Sequence, residues 1–233
     1  AMAAVLGCIL AGVLLSLPPL LGRAKASGSI RAFFGKSRGV NLLAAARMVL
    51  FGARDVWFVV GLPVFLYAQG WSFAMVGGFL ALWTIGYGLV QAAAPGLVRR
   101  SADGLSAEVP AARLWALALT MVPLLLAAAL WAPIGRPDLV VGIGLGLFGL
   151  AFAVNSALHS YLVLAYAGSE KAAEDVGFYY AANAAGRFAG TLLSGLLYGL
   201  GGLVACLLGA GLMLAICTAL VWRLPRDSGP AHA

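Results

Sequence analysis

Apolar residues run through this chain in blocks of about twenty, long enough to cross a bilayer as helices and separated by short polar connections. Seven blocks read as spanning helices: residues 1–22, 40–67, 72–98, 114–132, 139–167, 177–199 and 202–223. None shows the roughly ten-residue apolar and polar alternation of an outer-membrane strand, and a closed barrel is the only other spanning solution. The pattern predicts an all-α membrane protein with seven transmembrane helices. The first block has no charged start and no small-residue cleavage pattern leading into a polar domain, so it reads as a membrane helix rather than a signal peptide.

Composition agrees: 63% hydrophobic residues, 10% charged residues and a mean hydropathy of +0.99 lie far outside the range of soluble domains. The longest connections, 23–39, 99–113 and 168–176, are too short for a soluble catalytic domain, which places the chemistry inside the membrane. Arg23, Lys25, Arg31, Lys36, Arg38, Arg99, Arg100, Arg113, Lys171, Arg223 and Arg226 fall on one side of the spans, and Arg136 alone on the other. The positive-inside rule makes the crowded side cytoplasmic. The net charge of +7 is thereby explained by topology, with no nucleic-acid partner required. One leading helix (1–22), a basic cytoplasmic linker (23–39), six spans (40–223) and a cytoplasmic tail (224–233) have the layout of the last helix of one bundle joined to a complete six-helix carboxy-terminal bundle.

Three arginines remain inside the membrane: Arg47, Arg54 and Arg187, with Asp55 beside them. A centrally placed Arg or Asp costs about 2.5–3.5 kcal/mol on insertion scales, so these groups must face protein, water or a ligand. Arg47 and Arg54 are seven residues apart, within about 20° of full register, and project from one helix face roughly 10 Å apart. Asp55 is rotated about 100° from Arg54 and is expected to need a partner elsewhere. Two readings of it stand: a carboxylate that pairs with a cation on a neighbouring helix and locks the bundle, or a gating carboxylate that takes up a proton.

A longer stripe marks the sixth span, where Tyr180, Asn183, Arg187, Thr191, Ser194 and Tyr198 recur at three- and four-residue spacing. Polar groups on one face of an apolar span turn to a cavity or bond another helix. Asn155 and His159, four apart in the fifth span and flanked by Ser156 and Ser160, could bind an anion, relay a proton or serve as hydrogen-bonded structural groups. Thr84, Tyr87 and Gln91 are expected to share a face of the third span, as oxyanion contacts or as polar glue. The intramembrane balance is three arginines against one aspartate, and guanidinium forks suit oxyanions, so an anionic cargo is expected. Substrate contacts are assigned to Arg47, Arg54, Arg187, Asn183, Tyr180, Gln91 and Asn155, and proton coupling to Asp55 and His159.

Gly142, Gly146, Gly186, Gly190, Gly195 and Gly199 form small-xxx-small patterns that let helices approach closely, and Pro63 and Pro123 are expected to kink their spans. Cys8, Cys206 and Cys217 have no CxxC spacing, and with two histidines in the chain neither a metal site, a cofactor site nor a disulfide framework is suggested. GKS at 35–37 lacks the leading glycine of a P-loop, since residue 30 is Ile30, and no hydrolase motif appears. The chain does not read as an enzyme.

The basic linker, the six spans behind it and PGLVRR (95–100), a degenerate form of the signature between the second and third helices of each half, resemble the major facilitator superfamily. FGARDVWFVVGLPVFLY (51–67), GWSFAMVGGFLALWTIGYGLVQA (70–92) and AANAAGRFAGTLLSGLLYGLGG (181–202) are similar to the ArsJ-type organoarsenical efflux permeases. The resemblance implies alternating-access efflux from the bacterial inner membrane of 1-arseno-3-phosphoglycerate, an anion supplied by a partner glyceraldehyde-3-phosphate dehydrogenase. It also implies that an amino-terminal half of the same transporter forms the other wall of the cavity. Two further readings are kept: a proton-coupled multidrug or small-molecule exporter, and a structural membrane subunit that transports nothing.

Overall fold

The computed structural model describes residues 2–16, 36–132, 134–167 and 172–226, and the elements among them are all helical. They are α1 (Met2–Ser16), α2 (Arg38–Phe58), α3 (Gly61–Ala68), α4 (Phe73–Leu97), α5 (Glu108–Trp131), α6 (Pro137–Tyr166) and α7 (Ala172–Trp222). Two compact units result, residues 1–35 and residues 36–233. The first contributes α1, and most of the expected linker falls outside the described residues, as does the tail from residue 227.

Among the described residues five helices are long and apolar enough to cross a membrane: Arg38–Ala68 taken through its turn, Phe73–Leu97, Glu108–Trp131, Pro137–Tyr166 and Ala172–Trp222. The expected first span is described only over residues 2–16, and the sixth and seventh expected spans form one 51-residue element, α7, interrupted at Gly201 and Gly202.

That element is not straight. Gly201 and Gly202 leave helical geometry, and Gly202 takes φ +62° with ψ −154°, a conformation open in practice to glycine alone. Twelve residues of continuous helix would separate Ser194 from Cys206 by about 18 Å. The Cys206 thiol instead lies 3.5 Å from the Ser194 carbonyl, so the chain doubles back and α7 is a hairpin with arms at 172–200 and 203–222.

Helix α2 runs through the middle of the second unit, with thirteen of its 21 residues buried. Its start is capped by the Ser37 hydroxyl, which accepts from the Val40 amide, and α4 opens the same way on Ser72. Trp57 packs edge-on against Phe148 at 5.2 Å and Phe51 against Phe152 at 4.9 Å, joining α2 to α6. The helix breaks at Val59 and Val60, one turn before Pro63, whose ring removes a donor and crowds the carbonyl four residues back. The Val60 and Gly61 amides then donate to the Ser194 hydroxyl at 3.2 and 3.1 Å, so α7 completes the backbone bonding that α2 gives up. Pro123 sits within α5, which continues as helix through it.

The first arm of α7 meets α2 at backbone distance. A Cβ on Gly186 would overlap the Met48 carbonyl, and one on Gly190 would stand 2.8 Å from the Gly52 Cα. Gly142, Gly146, Gly195 and Gly199 make no such approach, since a Cβ at any of them meets nothing within 4 Å among the described residues. Their spacing is the right one, but their faces of α6 and α7 point away from neighbouring helices.

Gly186→Ala is therefore expected to destabilise the detergent-solubilised protein by about 2 kcal/mol or more, because rigid backbone must move to admit a methyl group. Gly195→Ala should stay within about 0.5 kcal/mol of the parent. Thermal unfolding followed by intrinsic tryptophan fluorescence checks both, and equal effects would show that the glycine contact does not set the α2–α7 distance.

Candidate functional site

Asp55 is 1% exposed and both of its oxygens are engaged. Arg54 Nε donates to Oδ1 at 2.7 Å and Arg187 Nε, from the first arm of α7, donates to Oδ2 at 3.1 Å. Asp55 has a partner on a neighbouring helix in Arg187 and pairs with Arg54 as well. Neighbouring Cα positions diverge by about 100°, but a guanidinium on its long flexible stem swings back across that angle to reach the carboxylate. Each arginine spends a single Nε–H on Asp55, and the Nη groups of both make no hydrogen bond among the described residues. The Arg187 side chain is 55% exposed and that of Arg54 15%, so two cationic forks, oriented by one buried carboxylate, open toward the bundle surface.

Arg47 shares the face with Arg54 but not the opening. Phe51 lies between them, with the Arg47 Cζ 4.0 Å from its ring centre and the Arg54 Cζ 5.1 Å. Arg47 is 4% exposed, covered on a second side by the Tyr179 ring at 4.9 Å. Its Nη1 donates to the Ser156 carbonyl at 3.3 Å and the Ser156 hydroxyl at 3.1 Å, and the same hydroxyl accepts from Gln91 Nε2 at 3.3 Å. Ser156 thus joins α2, α4 and α6.

The remaining expected contacts divide. Tyr180 is exposed and packs edge-on against Tyr179, while the Asn183 side-chain oxygen is buried without a hydrogen-bond partner among the described residues. Asn155 Nδ2 donates to the Trp115 carbonyl at 2.8 Å and to the Ala151 carbonyl at 2.9 Å, binding α6 to α5, while its Oδ1 is buried without a partner among the described residues. His159 is fully buried and neither ring nitrogen has a partner among the described residues. Thr84 and Thr191 donate to the Leu80 and Arg187 carbonyls of their own helices, and Thr84 is exposed while Tyr87 stacks on Trp83, so the third-span trio does not act as one face.

Phe51, Phe152 and Tyr179, which pack around the two α2 arginines, were not among the expected site residues. Phe51 stands four residues after Arg47 and three before Arg54, a spacing that puts all three on one face. No group of three His, Cys, Asp or Glu able to hold a metal occurs among the described residues. No family model, curated protein or solved structure matches the chain.

At one end of the unit Lys36 ties α2 to α7, with its ammonium 3.1 Å from both Glu174 and Asp175. Burial disfavours the charge, but the hydrogen bonds and negative charge of the two carboxylates outweigh it and lift the Lys36 pKa above its ordinary value. A raised folded-state pKa contributes stability that is fully present below the unfolded lysine value and is lost as pH rises through the folded one. Thermal stability should hold up to about pH 10 and fall beyond it, and Lys36→Met should remove that alkaline step. A parent profile identical to that of Lys36→Met would contradict the assignment.

The cluster should respond unequally to loss of Asp55 and loss of Arg187. Asp55→Asn leaves a mostly buried guanidinium without its counter-charge and is expected to cost about 3 kcal/mol. Arg187→Gln removes a half-exposed arm and leaves Asp55 paired with Arg54, a loss of about 1 kcal/mol or less. Chemical unfolding of the three proteins decides it, and an Asp55→Asn variant as stable as the parent would remove the cluster from the stabilising interactions.

Proposed function

We propose that the chain is the carboxy-terminal half of a secondary active transporter of the major facilitator type, and that it exports an organic anion. The reading rests on one observation above the others: Arg54 and Arg187 present uncommitted Nη groups side by side, while the one carboxylate near them is already shared between the two. An oxyanion docking there accepts hydrogen bonds from two forks whose directions Asp55 sets in advance. Counting the arms of α7 separately gives the six-span layout of such a half, and alternating access would bring an amino-terminal half against the Arg187 face. The resemblance to organoarsenical permeases nominates 1-arseno-3-phosphoglycerate as the cargo, exported across the bacterial inner membrane after a glyceraldehyde-3-phosphate dehydrogenase forms it. A cationic drug finds less here, since both oxygens of Asp55 are occupied.

Expression of the parent gene in an arsenate-sensitive bacterium should confer arsenate tolerance and lower retained arsenic when the dehydrogenase is co-expressed, and neither change without it. Arg54→Gln leaves Asp55 paired with Arg187, so the variant should reach the membrane at parental levels, yet cut export by about tenfold or more. Tolerance independent of the dehydrogenase, or unaffected by Arg54→Gln, would sink the organoarsenical assignment. Unaltered metabolite flux on deleting the gene, with loss of a membrane complex, would favour a structural subunit instead.

A further inference from the structure

Arg47 has a charge that nothing described in the chain balances. Arginine keeps its proton in proteins, so burial cannot neutralise it. The chain has eight acidic residues, of which Glu170 and Asp227 lie outside the described residues. The other six are committed elsewhere. Asp55 holds Arg54 and Arg187, Asp138 holds Arg136, and Glu174 and Asp175 hold Lys36. Glu108 accepts from Ser101, and Asp103 closes its own turn on Leu105 and Ser106. Arg47 Nε is buried with no hydrogen-bond partner among the described residues, in a helix that crosses the membrane. A buried charge in that condition is costly unless something of opposite sign accompanies it.

The polar groups around Arg47 are of the kind that solvate an anion. The Tyr179 hydroxyl and both His159 ring nitrogens are fully buried and have no hydrogen-bond partner among the described residues. The Ser156 hydroxyl oxygen already accepts from Arg47 and Gln91, which leaves its own proton to donate. The Tyr179 ring lies 4.9 Å from the Arg47 Cζ, so its hydroxyl belongs to the same neighbourhood as the buried charge. Phe51 lies between Arg47 and the Arg54 fork.

We propose that Arg47 binds a small monovalent inorganic anion, chloride or one of similar size, between α2, α6 and the first arm of α7, with the Tyr179 and Ser156 hydroxyls donating to it. One buried cation balances one negative charge, which disfavours a doubly charged phosphate or arsenate. The site is independent of the organic-anion reading, which rests on Arg54 and Arg187.

The test uses the full chain purified in detergent, with thermal unfolding followed as chloride replaces gluconate at constant ionic strength, and repeated with bromide. A saturable rise in Tm with either halide is expected. Tyr179→Phe keeps the ring over Arg47 and removes the hydroxyl; it should weaken the halide response by about tenfold, in line with loss of one charge-assisted hydrogen bond. The Arg54→Gln/Arg187→Gln double variant should keep the full response, so failure of the organic-anion assignment leaves this one standing. A Tm indifferent to halide would mean that water alone satisfies Arg47 and would overturn the proposal. So would a response unchanged by Tyr179→Phe, or one abolished by the double variant, which would put the halide at the outer pair.

Discussion

The sharing of Asp55 between Arg54 and Arg187 ties together the two elements on which the rest of the second unit leans, α2 and the first arm of α7. It requires that these helices lie nearly in backbone contact, because Asp55 is short and the Arg187 Nε must come to 3.1 Å. Gly186 under Met48 and Gly190 against Gly52 supply that approach. The glycines and the ion cluster therefore reinforce each other, one setting the distance and the other making use of it. Farther along the same interface, Ser194 collects the amides released where α2 breaks ahead of Pro63. Close packing, charge pairing and backbone satisfaction along one helix pair thus answer the requirement that a membrane interior leave few polar groups unmet.

Much of this was legible in the sequence, and the exceptions have physical causes. Apolar runs located the long helices because burial in lipid demands continuous hydrophobic length, and a seven-residue spacing placed Arg47 and Arg54 on one face because helical geometry is rigid. Spacing describes Cβ directions, however, and long side chains do not stay on them. Arg54 folds back to its neighbour Asp55, a contact that a helical wheel rules out. Asn155 shows a second limit: its Nδ2 bonds α6 to the Trp115 carbonyl of α5, a contact that no single-helix pattern reveals. Small-xxx-small spacing likewise identified Gly186 and Gly190 together with four glycines that touch nothing, since it records what a helix permits rather than what stands opposite.

The division of α7 follows the same logic. Two apolar runs with a glycine pair between them were read as two spans, and the helix continues to the pair before reversing there, because Gly202 occupies a region closed to residues with a side chain. The reversal lets the second arm pack on the structure the first has made: Leu197 covers Gly209, and the Cys217 thiol reaches the Ala46 carbonyl of α2. Helix α2 is consequently enclosed by both arms and by α6, which is why it can carry three charged residues through apolar surroundings.

Those three residues are handled in two different ways, and the difference bears on how such a bundle handles anions. Arg54 has a carboxylate for its charge and retains exposure, so a ligand can add to its hydrogen bonds without first breaking the protein's own. Arg47 has no carboxylate, and aromatic faces cover what water would otherwise reach. Cation–π contact offsets only part of a desolvated charge, on the order of 2 kcal/mol against a penalty of several. A guanidinium kept under those conditions by neighbours that are themselves unpartnered is a stronger indication of a bound anion than an exposed arginine. The same reasoning separates an outer pair, open and locally neutralised, from Arg47, which has neither an opening nor a counter-charge among the described residues, with Phe51 packed between Arg47 and Arg54.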